Sequence, residues 1–292
     1  MASRSSLSLA LLGLSAAAQA QAQAPSQSPP SGSQLPRVTV EAAAPPGPDV
    51  GGFSPEPLGR TPLSATVVET ATLRDRGMGR VADLTRLDAS LGDAYNAPGY
   101  WDFLTIRGFV LDNRSNFRRD GLPISAETSI ALDNKQRLEV LKGLAGVQAG
   151  SAAPGGLVNF VVKRPLSEDA SEATLQFESA GSVLAAADVS RRFGEGGAFG
   201  LRVNTAAERL DPEVRQARGD RGLLAVAGDW RLTSGTRLEA ELEWSRRSQP
   251  SVPGFSLLGG TVPAPSDPRL NLGAQPWSQP VVFEGQTASL RY

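Results

Sequence analysis

The chain has 292 residues, enough for one large domain or two of ordinary size. Lys and Arg number 29 against 30 Asp and Glu, a net charge of −1, so no global basic field exists to attract nucleic acid. Cys and His are both 0, which excludes disulfide scaffolds, thiolate zinc sites, Cys nucleophiles and Ser-His-Asp catalysis together.

In chain order, Arg4 and the apolar run over 7–18 precede Ala18-Gln19-Ala20, a small-x-small cleavage site. The run is too short to span a bilayer, so residues 1–20 read as a cleaved signal peptide. Residues 21–57 are mostly Ala, Gln, Pro, Ser and Gly and are expected to form a flexible tail. Within it, 37–41 alternates like a strand. Such a segment in a tail is free to add to the edge of a partner's sheet, although five residues also alternate by chance.

Residues 58–165 read as mixed α and β. Strands are expected at 65–68, 103–107, 117–119, 138–142 and 157–162, with short helices at 73–76 and 81–87. The stretch 143–156 is rich in glycine. It lacks the lysine of a phosphate-binding loop, and 194–200 misses a dinucleotide fingerprint by one position. Asp112, Asp120 and Asp133 match no calcium-loop spacing.

Beyond Pro165 the pattern changes to long strands of period two. Leu238, Ala240, Leu242 and Trp244 share one face, and Arg237, Glu239, Glu241 and Glu243 share the other. Similar alternation over 175–177, 185–193, 199–208, 224–232 and 287–292 gives about six strands of membrane-spanning length. Tight connections at 194–197 and 233–236 alternate with longer ones at 180–184, 210–222 and 248–283. Short turns on one side and longer loops on the other suit an outer-membrane barrel better than a soluble sandwich. Glu239 and Glu241 read as solvated residues of a barrel lumen, and no catalytic constellation emerges.

Several blocks resemble the N-terminal part of TonB-dependent ferric-siderophore receptors. They are Tyr100-Trp101-Asp102-Phe103 with Ile106-Arg107-Gly108-Phe109, then Arg119-Asp120-Gly121-Leu122-Pro123, Leu138 to Gly143, and above all Gly150 to Pro165. The resemblance spans 37–292. It implies an α+β plug domain at 58–165, followed at 166–292 by the first antiparallel strands of a transmembrane β-barrel that is roughly 22-stranded in the intact family.

The resemblance also implies a TonB box at Val38, Thr39, Val40, Glu41 and Ala42, paired with the TonB energy-transducing protein. It places the chain in a Gram-negative outer membrane, in contact with lipid. It makes a ferric siderophore the cargo, chelated without protein metal ligands or a protein-bound cofactor. Plug cations Arg107 and Lys142 match residues that face acidic groups on the barrel wall. On the outward loops 94–102, 112–116 and 125–129, Tyr100, Trp101 and Asp102 are expected to meet the ligand. Asn113, Arg114 and Asn116 are expected to join them there. No nucleic-acid partner is expected.

Six strands cannot enclose a plug, so a truncated chain that transports nothing alone is the expectation. A stand-alone periplasmic plug module, or a receptor for cobalamin or another large nutrient, is the alternative.

Overall fold

Alternation of apolar residues over 170–291 and short apolar runs before it dictate two different kinds of sheet, and both form. In the computed structural model the described residues are 58, 60, 62–95, 97–143, 152, 154–233, 235–254, 259–261 and 264–292. The expected signal peptide, the expected tail with its strand-like run at 37–41 and its TonB box at 38–42, and residues 144–151 lie outside them.

The first region is built on a five-stranded sheet. Its members are β1 (Ser64–Glu69), β5 (Phe117–Arg119), β6 (Leu122–Pro123), β7 (Lys135–Lys142) and β8 (Gly156–Val162), in the order β1-β7-β8-β5-β6. All its pairs are antiparallel except β5 with β8, where Phe117 lies opposite Val158. A smaller sheet joins β2 (Leu91–Asp93), β3 (Leu104–Ile106) and β4 (Phe109–Val110). One short helix, α1 (Thr70–Asp75), follows β1, and a 3-10 turn covers Val81–Arg86.

One face of the larger sheet carries Val68, Leu138, Val140, Val158 and Phe160 into a shared core with Leu73, Leu84, Leu104 and Ile106. Burying such side chains contributes about 1.5–3 kcal/mol each. The opposite face holds only Ala65, Leu141 and Leu157 as a small cluster.

The second region is a meander of six long strands: β9 (Ala170–Phe177), β10 (Val183–Phe193), β11 (Phe199–Leu210), β12 (Gly219–Arg231), β13 (Arg237–Gln249) and β14 (Val281–Arg291). All neighbours pair antiparallel in sequence order, with β9 and β14 at the edges. The expected loop asymmetry holds for the later loops only. The connection 178–182 is as short as the turns 194–198 and 232–236, whereas 211–218 and 250–280 are longer.

Alternation sets the two faces of this sheet. On the outer face Leu175, Leu224, Leu242 and Leu290 are exposed. Phe193, Phe199 and Trp230 gather at one rim, where Phe199 stacks on Trp230 at 5.3 Å between ring centroids. On the inner face Ala206, Leu223 and Ala225 pack with Ala131 of the first region. Their small side chains let the α+β body approach the sheet backbone. No helix among the described residues is long and apolar enough to cross a membrane, which says nothing about crossing by strands.

Candidate functional site

Charge concentrates where the α+β body meets the inner face of the six-stranded sheet. The pleat of β13 sends Glu239, Glu241 and Glu243 to that face while Leu242, 64% exposed, points away. Glu241 is only 3% exposed, because the hairpin β5–β6 and the start of β7 cover it. Arg119 on β5 bonds both Glu241 and Glu243, the latter at 2.6 Å.

Lys135 opens β7 and is 1% exposed. It donates to Glu243 at 3.0 Å and to Asn134, whose amide also reaches Glu243 at 2.6 Å. Arg164, on the segment between the two regions, spans Glu239 (3.1 Å), Glu241 (3.4 Å) and Asp120 (2.9 Å). Arg291 of β14 completes the cluster through Asp120 at 2.7 Å.

Four cations thus meet four carboxylates, Arg119, Lys135, Arg164 and Arg291 against Asp120, Glu239, Glu241 and Glu243. A buried charge is tolerated only when it is paired and hydrogen-bonded, and every charge of this cluster is paired, with the buried Nε–H of Arg119 left without an acceptor among the described residues. Burial opposes the charge on Arg119, yet Glu243 and Glu241 raise its pKa above the ordinary value. Burial pushes the pKa of Lys135 down, and the attraction of Glu243 offsets this only in part.

Two smaller ties flank the cluster. Asp188 of β10 accepts from Lys163 (2.9 Å) and Arg202 (2.8 and 2.7 Å). Arg221 of β12 holds Asp133 at 2.6 Å and also bonds Glu208. Burial works to raise the pKa of Asp133, but the guanidinium of Arg221 keeps it lowered.

The two cations expected to face the wall meet partners within the α+β body rather than on the described sheet. Arg107 sits in the tight turn between β3 and β4 at φ 52° and donates to Ser64 at 3.0 Å. Lys142, at the end of β7, pairs with Asp88 at 2.5 Å. Both partners belong to the α+β body, so the described sheet is held by Arg119, Lys135 and Arg164 instead. The expected solvation of Glu239 and Glu241 is also replaced by ion pairs. The alternation that put three glutamates on one face of β13 was the available signal, but their partners in the α+β body and in the segment after it lie more than 70 residues away in the chain.

The outward residues divide into two groups. Tyr100 and Trp101 are half-buried and tilt against each other at 4.0 Å between ring centroids, with Phe283 of β14 at 6.1 and 5.8 Å. The indole N–H of Trp101 is buried and has no acceptor among the described residues. Arg114 is exposed and holds Glu127 at 2.8 Å.

Asp102 instead ties the loop down through Arg80 and the backbone N–H of Ala82. Asn113 and Asn116 are buried. The Asn113 amide donates to the carbonyls of Asp102 (3.0 Å) and Ala126 (3.1 Å), and the Asn116 amide donates to that of Gly156 (2.5 Å). Both amides brace loops.

Residues 250–254 reach over this surface. The N–H of Val252 donates to the carbonyl of Pro98, and that of Gly254 to the Tyr95 hydroxyl, both at 2.9 Å. No group of three or more Asp or Glu able to hold a metal ion occurs among the described residues.

Residues 57–157 match the family described as TonB-dependent Receptor Plug Domain. The ferrichrome receptor FcuA of Yersinia enterocolitica is 23% identical over 239 residues, covering 78% of this chain and 31% of that protein. The ferrioxamine B receptor of Salmonella typhimurium is 24% identical over 186 residues, covering 61% of this chain and 26% of that protein. The chain therefore spans less than a third of the length of these relatives. The crystal structure of BauA, the ferric preacinetobactin receptor of Acinetobacter baumannii, superposes with a TM-score of 0.68 at 21% identity. That match covers 74% of this chain and 33% of that one, and it establishes the fold alone.

Proposed function

We propose, from a chain that carries a TonB-dependent receptor plug domain at residues 57–157, that this protein belongs to an outer-membrane receptor for ferric siderophores. The observation that supports this reading most directly is the two-faced sheet. Its inner face is charged and bonded to the plug, and its outer face is an apolar band with aromatics at one rim. That is how a barrel wall between lipid and a plugged lumen must be built. The relatives named above are receptors for iron-chelate ligands, and none is described as an enzyme.

In this reading 58–165 is the plug and 166–292 is the first part of the wall. The outward loops meet the ligand first. Tyr100 and Trp101 stack on the ferric siderophore, the free indole N–H of Trp101 donates to one of its carbonyls, and Arg114 reaches it from the exposed rim. Asp102, Asn113 and Asn116 set the shape of these loops. Iron stays within its chelator, so the protein supplies no metal ligand and needs no cofactor. The segment Val38 to Ala42 pairs by strand addition with TonB, which pulls on the plug through it.

Binding of labelled ferric siderophores to outer membranes that contain the protein tests this proposal. Tyr100→Ala and Trp101→Ala each remove about 1–2 kcal/mol of aromatic contact, a loss of roughly five- to thirtyfold in affinity. Unchanged binding of every siderophore in both variants would remove these residues from the site.

A further inference from the structure

Arg247 stands apart from the other buried arginines of the plug–wall face. Arg119, Arg164, Arg192, Arg202 and Arg221 each hold a carboxylate, whereas Arg247 holds only the side-chain carbonyl of Gln249, at 3.2 and 2.6 Å. The charged groups that act on it are Arg80, Asp102, Arg221 and Glu208. Both of these carboxylates already have cation partners, Asp102 with Arg80 and Glu208 with Arg221. Arg247 is therefore a partly buried cation without a counter-charge of its own among the described residues, in a place where an unpaired charge is costly.

A cavity lies beside it. Arg247, Arg221, Ser129, Ser245 and Gly79 are among the residues that line it, and no Asp or Glu does. Its volume for water-sized centres is about 20 Å³, room for one atom-sized guest. The guanidinium of Arg247 and two hydroxyls border it, beside an Arg221 already bonded to Asp133 and Glu208, and no carboxylate lines the cavity itself. The position is also well enclosed, because β12 and β13 are interior strands of the sheet and both have their neighbours in place.

We propose that this cavity binds a small anion, either chloride or the oxygen edge of a carboxylate or phosphate group, as the missing counter-charge of Arg247. The anion joins the wall strands β12 and β13 to the plug segments at Gly79 and Ser129, adding a bridge that the protein's own carboxylates do not provide. This inference is independent of which siderophore is carried.

The test uses the full chain in detergent micelles, at fixed ionic strength with bulky gluconate as the balancing anion. Sodium bromide, phosphate and acetate are titrated separately while the thermal unfolding midpoint is followed, and crystals soaked in bromide are examined for anomalous scattering. The expected result is a midpoint that rises and saturates with at least one of the three anions, with a bromide peak beside Arg247. Which anion saturates at the lowest concentration tells which group the cavity is built for.

Arg247→Gln abolishes the saturating response, and Ser245→Ala weakens it severalfold while leaving the fold intact. If Arg247→Gln fails to fold, the double variant Ser129→Ala/Ser245→Ala carries the comparison. A response that is linear in anion, equal in the variants, and without a bromide peak would overturn the proposal. No siderophore enters the assay, so its failure leaves the receptor reading untouched.

Discussion

Glu243 accepts from Arg119, Asn134 and Lys135 at once, so neutralising it strands the buried Lys135 and leaves Arg119 with Glu241 alone. Glu243→Gln is expected to destabilise the chain by about 3 kcal/mol, read from its denaturation midpoint, and Lys135→Met in the same chain should recover part of that loss. If the two changes add without coupling, the pair makes no contribution of its own. Asp88 tests charge in another way. Burial acts to raise its pKa, but Lys142, Thr66 and Ser90 hold it well below the ordinary value of 3.8. A depressed carboxylate contributes stability that is complete above its unfolded value and disappears as pH falls through the folded one. Asp88→Asn should therefore flatten the loss of stability between about pH 4 and about pH 2, and an unchanged acid slope would contradict the assignment. None of these partners was legible at the residue scale. The family resemblance marked Arg107 and Lys142, but which carboxylate a cation meets depends on how the regions dock.

Among the elements, the long strands were the most legible, because two-residue periodicity over 11–13 positions fixes both existence and face. β13 was expected over 237–246 and runs to Gln249. The expected short helices are realised as α1 and a 3-10 turn, since Gly77 and Gly79 leave no room for longer ones. β2, β4 and β6 span two or three residues each, too few for any period to show. Two glycines carry conformations that other residues resist. Gly156 has φ 133°, and a Cβ there would stand 1.8 Å from the Leu141 carbonyl, so Gly156→Val should break the β7–β8 ladder and leave the plug protease-sensitive. At Gly99, φ is 79° and a Cβ would meet the Pro250 carbonyl at 2.2 Å. Gly99→Val should unseat loop 250–254 from the plug while the plug core remains folded, which limited proteolysis of the two variants can distinguish.

At the scale of the whole molecule, the sequence showed the division into an α+β body and an antiparallel sheet. The docking between them was only half visible. The outer face could be read from Leu238, Leu242 and Trp244, but the inner face looked like open lumen because nothing local says that a plug covers it. The structure supplies that cover, and with it a reason for placing charges on this face: they pair with cations of the α+β body and of the segment after it. The account predicts that Glu241→Gln/Glu243→Gln loosens the plug without altering the apolar outer face, so outer-membrane insertion is kept while protease access to the plug rises.

The central claim is best tested by uptake of radioactive iron into iron-starved producing cells, with and without the coding sequence for this chain, across neutral hydroxamate and anionic catecholate siderophores. The account predicts that energy-dependent uptake of at least one ferric siderophore is lost on deletion and restored on complementation with the coding region from which the chain derives. Uptake unchanged across the whole panel, with the protein absent from the outer-membrane fraction, would contradict it.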